Sequence, residues 1–197
     1  MSLDALVLLF GLTFLLAGRL PLDVSSGTKA LLMAAPVEKW QYVLGKLLGG
    51  WLYTFTLLCA FLAVCAGVYR AAAPFPISPG ACLRPLAKAV AVSALPASLF
   101  VGFCAVAIPG LTGSRLFYLL SAVLFGCNAA YVGSAEAMPF WLITAGDLIR
   151  LVWVHPAWPE LPAGSALANA SFLVGGALLS CCLLLAKPGA WRERSGS

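Results

Sequence analysis

Charge is scarce in this chain of 197 residues. Only 10% of them are Asp, Glu, Lys or Arg, with seven acids, twelve bases and a single histidine. A soluble domain is about 25% charged, and this composition, 62% hydrophobic with a mean hydropathy of +0.98, excludes an ordinary water-facing globular surface.

The absences inside the apolar stretches exclude chemistry as well. Charge-free runs cover Ala5–Gly18, Leu47–Tyr69, Ala89–Ser114, Leu116–Ala135 and Leu161–Ala186. Intramembrane hydrolases and proton-coupled carriers need an acid, base or nucleophile within the bilayer, where such groups are costly and conspicuous. A phosphate loop is missing too: Gly45-Lys46 is followed by Leu47, without the Ser/Thr or the upstream glycine of that motif. Any ATP hydrolysis therefore belongs to another chain, which would carry the ATP and Mg; no cofactor, metal or nucleic-acid site is read on this one. Seven cysteines fall mostly in the apolar runs, and the adjacent Cys181-Cys182 pair lacks zinc or thioredoxin spacing, so they read as small hydrophobes. The N-terminus carries Asp4 and no early Lys or Arg, which does not fit a secretory signal. No internal repeat supports an inverted-repeat carrier.

A helix needs roughly 20 apolar residues to cross about 30 Å of hydrocarbon. The runs predict an all-α polytopic membrane protein: one transmembrane domain, 1–197, with five spans at about 3–18, 47–69, 89–111, 116–135 and 164–186, the first of them short. With the 19–46 loop inside, the inner side holds eight Lys/Arg (Arg19, Lys29, Lys39, Lys46, Arg115, Lys187, Arg192, Arg194) against four outside (Arg70, Arg84, Lys88, Arg150). That obeys the positive-inside bias and places the multi-pass chain in a cytoplasmic (inner) membrane. Residues 70–88 form a proline-rich outer loop that cannot be one helix. Leu111–Arg115 is a tight inner turn. Residues 136–160, with Trp141, Trp153 and Trp158, fit an outer re-entrant or interfacial helical segment.

Few polar groups remain as candidates. Glu136 lies at a helix end. His155 reads as an interfacial side chain, with no second histidine to share a metal. Asp147 and Arg150 are spaced to pair on one helical face. Asn128, the most central polar residue, either hydrogen-bonds a neighbouring helix or lines a pathway.

The segment 25–46 is different from an ordinary loop. Ser25 or Ser26 can cap a first piece over Lys29–Ala35; Pro36 breaks it and is acceptable as the first residue of a second. Val37, Trp40, Leu44 and Leu47/Leu48 then recur at helical spacing, with Glu38, Lys39 and Lys46 off that face, and the periodicity continues through Gly45-Lys46 into the next span. The residues alone fit two readings, a passive interfacial helix or an element at the inner face that takes force from a partner.

The order Gly27-Thr28, Leu31-Leu32, Ala34-Ala35-Pro36-Val37 and Gly45-Lys46, set between two spans, resembles the signature of ABC-2-type transporter permeases. The resemblance implies an exporter subunit in which Lys29, Leu31, Leu32, Pro36, Val37, Glu38, Lys39, Trp40, Gly45 and Lys46 couple to a separate ABC ATP-binding subunit, beside a second permease chain in the lipid. It implies no enzymatic activity on this chain. The family has six helices and an inner N-terminus; this chain has five and starts at what corresponds to the second, so the first is expected to be absent here or supplied by another subunit. The competing classes are a non-transport scaffold or assembly subunit, and a membrane-embedded enzyme or secondary carrier using Glu136, Asp147 or His155.

Overall fold

The fold is taken from a computed structural model, which describes residues 2–17, 38–72, 78, 80, 83, 86–87, 90–112, 114–131 and 163–186. Every regular element among them is helical: α1 (Ser2–Ala17), α2 (Lys39–Ala72), a π-helical turn (Val90–Ala94) leading into α3 (Leu95–Thr112), α4 (Ser114–Tyr131) and α5 (Ala163–Ala186). Three stretches are long and apolar enough to cross a membrane, Trp40–Val68, Leu95–Thr112 and Leu167–Ala186. They give the chain the character of a membrane protein. Shorter apolar stretches occupy Val7–Ala17 and Leu116–Gly126.

Helix boundaries follow local chemistry. The predicted span at 47–69 is the middle of a single 34-residue helix, α2, about 51 Å long at 1.5 Å per residue. It runs past the predicted outer boundary to Ala72, keeping Arg70 in its last turn, where a cation suits the helix dipole. The span predicted from residue 89 becomes regular α-helix only at Leu95. Pro96 has no N–H to offer the carbonyl four residues back, and the wide π turn over Val90–Ala94 accommodates that gap. Within the predicted turn Leu111–Arg115, Leu111 and Thr112 end α3 and Ser114 and Arg115 begin α4, so those four residues are helical. The sequence readings on 18–37, 132–162 and 187–197, and most of those on 73–89, lie outside the described residues.

α3 is the centre of the bundle. It packs against each of the other four helices, most extensively α5 and α2, while α1 bridges α4 and α2. Its buried set, Pro96–Ser98, Val101–Ala107 and Pro109, runs all round the helix, as expected of a helix without a solvent or lipid face. Two apolar layers fix the helix directions. One joins Leu9 of α1, Leu58 and Leu62 of α2, Ala97 and Val101 of α3, Phe125 of α4 and Leu173 of α5. The other joins Leu16, Val43 and Leu47, Phe103 and Ala105–Ala107, Phe117, and Cys181 with Leu184. The helices therefore alternate in direction. Ala17, Lys39, Ser114 and Ala186 share one end of the bundle, so the segment 18–38 and the tail after Ala186 leave from the same end.

The outward surface is as apolar as the core. Val7 and Leu15 on α1, Leu52, Val64 and Val68 on α2, Leu119 and Val123 on α4, and Leu167, Leu179 and Leu183 on α5 are all exposed. Hydrocarbon gives no hydrophobic incentive for helices to associate, so close packing must do so. Buried hydroxyls bond to carbonyls of their own helices, Thr13 to Leu9 (2.7 Å), Thr54 to Gly50 (2.9 Å) and Ser180 to Ala177 (2.8 Å), and Ser180 also pairs with the Cys104 thiol, which links α5 to α3. Aromatic pairs join α1 to α4, with Phe10–Phe125 and Phe14–Tyr118 ring centroids both 5.0 Å apart.

Glycine sets the closest approaches. A Cβ at Gly102 would lie 2.6 Å from the Trp51 Cα and 2.8 Å from its nitrogen, and one at Gly176 would lie 2.8 Å from the Phe100 ring. Main chain meets main chain where α2 crosses α3, and only residues without side chains permit it. Gly49, one position away, has open space in place of a Cβ neighbour. Gly102→Ala should therefore lower stability by about 1–3 kcal/mol, the usual range for overpacking. Gly49→Ala should be neutral or stabilising by up to about 1 kcal/mol from helix propensity. Thermal unfolding of the two purified variants in detergent checks this; equal shifts would mean that the crossing is not close-packed.

Candidate coupling site

The start of α2 is built by a cap. The Glu38 carbonyl accepts from the backbone N–H groups of Gln41 (3.0 Å) and Tyr42 (3.2 Å), while the Glu38 N–H donates to the Gln41 side-chain carbonyl at 3.2 Å. The second interaction is one arm of a capping box, in which the third helical residue reaches back to the N-cap. The Trp40 indole donates to the Glu38 carboxylate, so that charge lies on the exposed rim of the first turn. The predicted helix start at Val37 is thus corrected to Lys39, with Glu38 as its cap.

The helix then divides into two faces. Val43 and Leu47 are fully buried, and the same line continues through Gly50, Thr54 and Leu58. Trp40 is 50% exposed and Leu48 48% exposed. The packed line therefore runs through Val43, which the predicted face (Val37, Trp40, Leu44, Leu47/Leu48) did not contain. Lys46 places its ammonium 5.8 Å from the centre of the Tyr42 ring, within cation–π range. Gly45 is exposed, with open space about its Cα.

Five candidate residues therefore lie on the first two turns of α2 or its cap: Glu38, Lys39, Trp40, Gly45 and Lys46. Lys29, Leu31, Leu32, Pro36 and Val37 lie outside the described residues, as do Glu136, Asp147, Arg150 and His155. Asn128 is on α4 near its C-terminal end. Among the described residues no three His, Cys, Asp or Glu side chains are grouped to hold a metal.

The geometry offers a capped, polar helix start that is rigidly continuous with an apolar helix packed into the bundle centre. Sequence reasoning missed the Gly50–Gly102 crossing and the Trp51 ring beside it. The regular spacing of Val43, Leu47, Gly50, Thr54 and Leu58 was the signal that could have located the packed face.

No model of a protein family, no curated protein and no solved structure matches the chain.

Replacing Gln41 by Ala should free the Glu38 N–H and speed its hydrogen exchange, along with that of the first-turn amides. The expected local loss is about 0.5–1 kcal/mol, the lower part of the capping range, with no change in global unfolding. Amide exchange read by mass spectrometry over 38–46 against 58–68 tests it; uniform acceleration of both stretches would show that the cap serves the whole bundle.

Proposed function

We propose that the chain is the transmembrane permease subunit of an ATP-driven exporter of the ABC-2 type. In this reading a separate ATP-binding subunit docks on the 25–46 segment at the cytoplasmic face, and a second permease chain completes the translocation path. Five membrane spans, an inner coupling helix and an outer helical excursion over 136–160 belong to the same proposal. The observation that carries it is the continuity of α2. The exposed first turns around Glu38, Lys39 and Trp40 pass through Gly45-Lys46 into an apolar helix without a break. Displacement applied at those turns is therefore passed along one rigid element into the centre of the bundle. The ordered motif from Gly27-Thr28 to Gly45-Lys46 supports the same assignment.

A non-transport scaffold or assembly subunit is the second reading. It is favoured by the character of the described core, whose buried polar side chains are all hydroxyls: Thr13, Thr54, Ser98, Ser121 and Ser180. Among the described residues that interior offers no charged or amide-lined path.

The two readings part at the coupling segment. Pro36→Ala removes the break that the sequence predicts ahead of α2, and Glu38→Lys with Lys39→Glu reverses charges available to a docked ATPase. Exposed pairs are worth about 1 kcal/mol or less, so the triple variant should express and elute normally while substrate-stimulated ATPase activity of the reconstituted complex falls. Unchanged coupling would favour the passive interfacial helix. For the outer segment, single cysteines at positions 146 and 157 should both react with an impermeant thiol reagent from outside. Opposite sidedness would make this region a sixth span and move the C-terminus out.

A further inference from the structure

Three features meet where α2 crosses α3. The main chains touch at Gly50 and Gly102, with the Val106 side chain resting on Gly50 beside the contact. The next residue, Trp51, has an indole N–H sealed from solvent with no acceptor, whereas the buried Thr54 hydroxyl one turn away has one. A buried donor left unpaired forgoes the whole hydration it gave up, so another arrangement that supplies an acceptor competes with this one.

An acceptor stands one turn along α3. Residue 109 is proline, so the Ala105 carbonyl cannot receive the helical donor that normally comes from four residues on. Ala105 is buried in the same apolar layer against which the Trp51 ring packs. Val106, its neighbour, lies 3.2 Å from the Cβ position of Gly50, which places this turn of α3 against the same turn of α2.

We propose that α2 rocks on α3 about the Gly50–Gly102 contact, carrying the Trp51 indole between the unpaired position of this structure and a second one in which its N–H donates to the Ala105 carbonyl. With glycine at both positions, no side chain of 50 or 102 itself blocks the rotation. The unbroken helix moves its two ends in opposite senses, Val43 and Leu47 in one apolar layer and Leu58 and Leu62 in the other. The unpaired donor, and an acceptor that Pro109 leaves without its usual helical donor, make the element two-state rather than merely loose, the kind of element that a partner can bias. The pivot belongs to the membrane bundle and does not rest on the exporter reading; that reading supplies only what would tilt the helix.

The test uses the full chain labelled with 5-fluorotryptophan in lipid nanodiscs, with no other protein present. The Trp51 fluorine resonance is assigned by its loss in Trp51→Phe. Saturation-transfer or relaxation-dispersion spectra should show it exchanging with a second environment populated at about 0.1–10%, the usual range for a minor state. Pro109→Ala restores the helical donor to Ala105 and should abolish that environment, while Gly102→Ala, which pushes α2 off α3, should change its population. Gly49→Ala, on the open face, should leave it as in the wild type. Size-exclusion profiles and the five remaining tryptophan resonances report whether each variant keeps its fold. A single Trp51 environment without exchange, or a minor one that persists unchanged in Pro109→Ala, overturns the proposal.

Discussion

The contact between Gly50 and Gly102 is the constraint on which the rest of the bundle depends. In hydrocarbon, apolar side chains gain nothing by leaving lipid for protein, so a helix is held by how closely its neighbours approach. With the α2 and α3 main chains in contact, α3 reaches a position from which it also touches α1, α4 and α5. Gly176 repeats the device on the other side, where its missing side chain receives the Phe100 ring. The two apolar layers above and below the crossing then close on α3, which is buried around its circumference. A helix displaced by the width of one methyl group at position 102 would open both layers together.

The same environment explains what could be read from the sequence. The charge-free runs located the three long apolar helices, because loss of charge over some twenty residues is a strong signal whatever the packing. The prolines were less informative: Pro96 lies inside a predicted span, and the π turn before α3 was not foreseen. The packed faces were less legible. In a water-soluble helix the apolar stripe marks the core, but on α2 the buried Val43 and Leu47 and the exposed Leu48 and Leu52 are alike in polarity. Periodicity of hydrophobicity therefore pointed to Trp40 and Leu44, whereas size, with glycine at 50 and 102, carried the information. The start of α2 turned on a local reach of Gln41 back to Glu38, which no apolar pattern records.

A long helix with a polar capped start and an apolar packed middle is suited to carry motion from the membrane surface inward. On α2 the cap and first turn hold Glu38, Lys39 and Trp40, Val43 and Leu47 already pack into the bundle, and the glycine contact at Gly50 lies about three turns on. In the exporter reading proposed above, the load is applied at the rim of the first turn and the glycine crossing is the fulcrum. The scaffold reading has no use for an exposed cap of this kind, since its stability already comes from Val43, Leu47 and the layers beyond. The exporter reading uses both parts.

The central claim is that another chain supplies energy through the exposed start of α2. Purification of the tagged chain from its own membranes, followed by quantitative mass spectrometry and an ATPase assay of the complex, tests it most directly. The account predicts a phosphate-loop ATPase recovered in stoichiometric amount, released when Glu38 and Lys39 are both charge-reversed. Recovery of the chain without such an ATPase, in a complex that hydrolyses no ATP, would contradict it.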